Sequence, residues 1–115
     1  MNLTFTEHDT CGVVHLADPR LDASIAIQFK EVFRTLTAGG GDVILDLSAV
    51  EFLDSSGLGA IVAVYKALGP DRHMALAGLQ PPVEKVMMLT RMNSVFAIFP
   101  TLGAALMAAG PTAAE

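Results

Sequence analysis

The chain contains no tryptophan, one tyrosine and a single cysteine among its 115 residues. A lone thiol, Cys11, closes no internal disulfide, so the fold must rest on a packed core and on hydrogen bonds. Cations are scarce as well: seven Lys and Arg, scattered singly, stand against twelve Asp and Glu, for a formal net charge of -5. No basic stripe exists to neutralise successive phosphates, which argues against a direct nucleic-acid partner. The apolar run from Ser55 to Tyr65 falls well short of the roughly 20 residues that a membrane span requires. The polar start MNLTFTEHD does not read as a secretory signal, and we expect a cytoplasmic protein with no membrane association. His8, His15, His73 and Cys11 have no metal-ligand spacing. AGGGD lacks the Lys-Ser or Lys-Thr end of a phosphate loop, and GLGAIV carries Val62 where a dinucleotide fingerprint needs its third glycine. No metal and no cofactor is expected.

What is present is apolar: 52% of residues are hydrophobic and 17% charged. That composition excludes a disordered tail and suits one domain of the α/β class. LTFTE alternates apolar and polar residues, and CGVVHL follows the break at HDT, so the two read as a hairpin. ASIAIQFKEVFRTLT repeats Ile25, Phe29, Val32, Phe33 and Leu36 at helical spacing. DVILDL is a near-continuous apolar run, as in a strand buried on both faces, centred on Val43 to Leu47. A helix to about Leu68, a strand MALAG, a helix from Pro81 to Arg91, a strand VFAIF and a helix from Thr101 to Ala109 complete the order ββαβαβαβα. Alternation of this kind predicts a mixed sheet with parallel central strands and helices packed on it. The domain spans 1–109, and 110–115 reads as a short C-terminal tail.

Between the central strand and the next helix lies VEFLDSSGLGAIV, with Asp54, Ser55 and Ser56 in otherwise apolar surroundings. One side-chain oxygen is explained by the need to cap a helix start. The same unpaired amides and the helix dipole also favour an anion there. A serine hydrolase is not indicated: Leu53 and Asp54 occupy the places where Gly-x-Ser-x-Gly needs its first glycine, and no histidine has triad spacing. The expectation is a protein without enzymatic activity. Both loops ADPRLDAS and LSAVEFLDSSG run from strand ends to helix starts, where sites gather in open α/β sheets. Asp22 reads as a cap for the first helix or as a neighbour of the serines. On the helix after Ser55, an inward stripe of Leu58, Ile61, Val62, Tyr65 and Leu68 leaves Gly59, Ala60, Ala63, Val64 and Ala67 on the other side, with Lys66 the only charge. A helix lacking a charged outer face is covered by another element or by a partner.

VILDLSAVEFLDSSGLGAIVAVYKAL closely resembles the signature of the STAS domain family, and within it the stand-alone bacterial anti-sigma-factor antagonists. RLDASIAIQFKEVF is similar to that family's entry into its first helix, although DPRLD departs from the usual Gly-x-Leu-Asp form at Pro19. LAGLQPPVEKVMMLTRMNSVFAIFPTLGAAL is similar to the closing strand, helix, strand and helix. The resemblance implies a partner switch. Ser55 falls on the serine that is phosphorylated by an anti-sigma factor with serine kinase activity. The unmodified form would capture that partner and free the sigma factor; the phosphorylated form would let go until a serine phosphatase restored it. Asp22, Asp54, Ser56 and Gly57 would surround the phospho-site, and Leu58, Gly59, Ala60, Ala63 and Val64 would meet the partner. Asp46 matches an acidic position of the family pattern and is expected to hold its loop. The alternative is an unmodified scaffold subunit of a sensory or transporter-associated complex.

Overall fold

The computed structural model describes residues 1–109; the tail expected at 110–115 lies outside the described residues. A five-stranded sheet forms its centre. Strands β1 (Leu3–Glu7) and β2 (Cys11–Leu16) make the expected antiparallel hairpin. Beyond β2 come β4 (Asp42–Asp46), β6 (Met74–Ala77) and β7 (Ala97–Phe99), all parallel, in the spatial order β1-β2-β4-β6-β7. The apolar DVILD run occupies the middle, where both faces are covered.

Side-chain alternation along β4 sorts the core into two layers. Val43 and Leu45 join the larger cluster, together with Val14, Leu16, Leu76 and the helix residues Phe29, Phe33, Ile61 and Val83. Ile44 joins a smaller cluster with Cys11, Val13, Ala77 and Ala105 on the opposite face. Helices α1 (Ala26–Leu36), α2 (Ser55–Leu68) and α3 (Pro81–Leu89) therefore supply residues to one layer, and the short α4 (Leu102–Ala108) to the other.

Each helix boundary has a local cause. The Thr101 side chain accepts from the Ala104 amide at 3.0 Å and caps α4. Pro81 and Pro82 occupy the first positions of α3, where no amide partner is lost. The α1 terminus is held from outside: Arg72 Nη2 donates to the Thr37 carbonyl at 2.8 Å, and Arg72 Nε to the Gly41 carbonyl at 2.7 Å.

Three features depart from the expected order. A second sheet of two very short parallel strands, β3 (Arg20–Leu21) and β5 (Phe52–Leu53), joins the two loops that follow β2 and β4. The α3 helix ends at Leu89 rather than Arg91, because Arg91 adopts a left-handed conformation (φ 60°) and a 3-10 turn, Met92–Ser94, follows. Helix α1 begins at Ala26 rather than Ala23, since the backbone of Asp22 to Ser24 is spent on a turn.

Candidate functional site

Asp54 is the keystone of the loop cluster above the sheet. It is the N-cap of α2, with Oδ1 accepting from the Gly57 amide at 2.8 Å. Its other oxygen, Oδ2, accepts from the Ala23 amide in the preceding loop at 3.2 Å. One carboxylate thus serves both as a helix cap and as a tie between ADPRLDAS and LSAVEFLDSSG. The β3–β5 ladder reinforces that tie, and Pro19, the departure from the family form, takes part: its carbonyl accepts from the amides of Glu51 at 2.7 Å and Phe52 at 3.1 Å.

Gly57 is required by this closeness. A Cβ on it would collide with the Leu21 carbonyl oxygen and lie 2.8 Å from Leu53 Cδ1. The glycine lets the first turn of α2 approach the β3 backbone closely enough for the Asp54 bridge to form. Gly59, two residues on, has nothing within 4 Å of a would-be Cβ and faces open space.

Asp22 lies in the same cluster but caps no helix, which corrects one of its two expected roles. The α1 N-cap is Ile25, which makes no side-chain bond. Asp22 Oδ1 instead accepts from the Ser24 amide at 3.0 Å and the Ser24 hydroxyl at 2.6 Å, folding the turn that precedes the helix. Its Oδ2 accepts from Arg20 Nε at 3.2 Å. The Ser24 hydroxyl first, and then Arg20, hold the Asp22 carboxyl below its ordinary value of 3.8. The Arg20 guanidinium lies 4.0 Å over the Phe52 ring, a cation–π contact across the β3–β5 pair.

Ser55 and Ser56 are exposed at the first two positions of α2. Their amides precede the first intrahelical acceptor, so they point to the solvent at the positive end of the helix dipole. Among the described residues, no group holds the Ser55 hydroxyl. Exposed apolar side chains stand on the adjoining elements, with Ile27 in the first turn of α1 and Phe52 in β5.

The expected docking face needs redrawing. Ala60 and Val64 are 3% and 4% exposed and belong to the main core. Helix α1 lies beside α2 and turns the inner stripe to Gly57, Ala60, Ile61 and Val64, so neither Ala60 nor Val64 is presented to a partner. Gly59 is fully outward, while Leu58 and Ala63 are half-buried at the edges of the face. Tyr65 turns to the core, where its ring meets Phe96 edge to face at 5.0 Å.

Asp46 holds its loop as expected, with Oδ1 accepting from the Ser48 amide at 3.0 Å. It also pairs with His15, Nδ1 to Oδ2 at 3.0 Å, a cross-strand pair that the spacing of the histidines did not suggest. Among the described residues no serine hydroxyl completes this pair into a triad, and no cluster of three potential metal ligands forms. No helix among them is long and apolar enough to cross a membrane.

The STAS domain model matches residues 2–105. The chain belongs to the STAS domain family. Its architecture superimposes on that of an anti-sigma factor antagonist from Mycobacterium paratuberculosis with a TM-score of 0.85, at 29% identity over 94% of this chain and 92% of that one. Two more distant structures share the fold alone. One is the Bacillus cell fate determinant SpoIIAA in its phosphorylated form, at 19% identity and a TM-score of 0.68 over 95% of this chain and all (100%) of that one. The other is the murine Slc26a9 anion transporter, at 19% identity and a TM-score of 0.79 over 90% of this chain but 18% of the transporter. This STAS domain is thus similar to the mycobacterial antagonist along nearly the whole length of both chains.

Proposed function

We propose that this STAS domain is an anti-sigma-factor antagonist whose partner binding is switched at Ser55. The unmodified protein binds an anti-sigma factor with serine kinase activity and so releases the sigma factor. Phosphorylation of Ser55 ends that binding, and a serine phosphatase resets it. The domain acts in the cytoplasm as a substrate and a binder, and supplies no catalysis. The observation that carries the reading is the position of Ser55: exposed at the first turn of α2, beside the Asp54 carboxylate that joins both loops. Likeness to the mycobacterial antagonist supports the general role, and the phosphorylated state of SpoIIAA supports a modification on this fold.

The electrostatics favour release. A phosphate adds about -1.5 to -2 charge at neutral pH. The amides of Ser55 and Ser56 can receive it without distorting the helix. The neighbouring carboxylates, Asp54 and Asp22, do not offset it, and the closest cation in the cluster, Arg20, is already paired with Asp22 and stacked on Phe52. A poorly compensated anion would then have to be desolvated on docking, which weakens binding without unfolding the domain.

The test is incubation with ATP and the anti-sigma factor, followed by site mapping and affinity measurement on wild type, Ser55→Ala and Ser55→Asp. A single phosphate on Ser55 is expected. Ser55→Ala should bind with or without ATP, and Ser55→Asp at least about ten-fold more weakly, a difference of about 1.4 kcal/mol. Equal affinities for the two variants would refute the switch. Absence of phosphate with a kinase that still binds would favour the unmodified scaffold role.

A further inference from the structure

A groove lies between the C-terminal halves of α1 and α2, away from the serine cluster at the N-terminus of α2. Ala63, Ala67 and Leu68 supply accessible apolar lining above the buried Phe33, and Lys30, Arg34 and Arg72 supply charged lining. Three of the chain's seven Lys and Arg thus converge on one groove of an acidic protein, and no carboxylate lines it.

The three cations differ in what holds them. Arg72 is fixed by its bonds to the Thr37 and Gly41 carbonyls, which use two of the five N–H groups of its guanidinium and leave three. Lys30 and Arg34 stand four residues apart on α1, so two like charges adjoin on one helical ridge, an arrangement that costs stability unless an anion lies between them. Among the described residues neither is in an ion pair. The free space is about 140 Å³. The groove is partly open to solvent, so a small ring can sit in it with a charged group projecting towards the cations.

We propose that this groove binds a small aryl carboxylate, with its ring against Ala63, Ala67 and Leu68 and its carboxylate on Lys30, Arg34 and the unused Arg72 donors. The site joins α2 to the helix whose preceding turn is tied to α2 through the Ala23–Asp54 bond, so its occupant would brace the same pair of elements that carries Ser55. The proposal does not depend on Ser55 being modified.

Binding of benzoate is measured by amide chemical-shift titration of the unmodified protein, beside the neutral isostere benzyl alcohol and the double variant Lys30→Ala/Arg34→Ala. Saturable shifts centred on residues 30–38 and 63–68 are expected with benzoate at millimolar concentrations. Benzyl alcohol and the double variant should each bind about ten-fold more weakly, as loss of charge-assisted bonds requires. The variant removes two charges, one half-buried and one exposed, that are in no ion pair among the described residues, and its unchanged spectrum elsewhere verifies its fold. No saturable shift with benzoate, equal affinity for the alcohol, or full binding by the double variant would each overturn the proposal.

Discussion

Two glycines separated by one residue do opposite work in the α2 helix. At Gly57 a methyl group has nowhere to go, because the Leu21 carbonyl and Leu53 Cδ1 already occupy its place. Gly57→Ala should therefore lower stability by about 1–3 kcal/mol, the usual cost of overpacking. At Gly59 the same change meets open space in a helix interior. Gly59→Ala should raise stability by about 0.5–1 kcal/mol, since alanine loses less backbone entropy on forming a helix. Urea unfolding of the two variants beside the wild type checks both signs; a neutral Gly57→Ala would mean that α2 is free to move away from β3. Asp54 shows the same economy at the side-chain level, where one carboxylate accepts two backbone amides from different loops.

At the scale of elements, α2 presents a partner with less surface than its composition suggests. Two apolar stripes run along it, and a helical wheel cannot say which one faces inward. The neighbouring α1 decides: it leaves Ser55, Ser56 and Gly59 outward and takes Ala60 and Val64 into the core. Gly59→Arg should leave the unfolding midpoint no lower than that of the wild type, since arginine also favours a helix over glycine, yet weaken anti-sigma-factor binding by about ten-fold or more, as a charge placed centrally in an interface does. Isothermal titration with the partner reads this directly, and unchanged affinity would remove the exposed face of α2 from the interface. The same comparison shows what was legible beforehand. The α2 cap, the central β4 run and the two prolines opening α3 each have strong local signals, and these elements stand where the spacing put them. Strands β3 and β5 have two residues each, too few to show a period, and exist only because the two loops meet. The Arg91 turn that ends α3 early rests on a left-handed conformation that arginine rarely adopts and that no local pattern announces.

Across the whole molecule, chain folding gathers what the sequence scatters. Lys30, Arg34 and Arg72 are isolated cations along the chain and neighbours around one groove, while at the other end of the α1–α2 pair Asp54 binds the amide of Ala23, the residue after Asp22. The two ends are joined by a layer of buried residues, Phe29, Phe33, Ile61 and Val64, packed on Leu45 and Leu76 of the sheet. That core makes a distinctive prediction for the switch. Ser55 is exposed and contributes nothing to the core, so a negative charge there should act on the docking surface and not on the fold. Amide hydrogen exchange of Ser55→Asp, compared with the wild type, should leave protection in β2, β4 and β6 unchanged. Differences should be confined to the first turn of α2 and to residues 20–24, which depend on the Asp54 bridge. If the central strands lost protection together, the charge would be acting by loosening the domain, and release of the partner would be a consequence of partial unfolding instead of electrostatic mismatch at an intact surface.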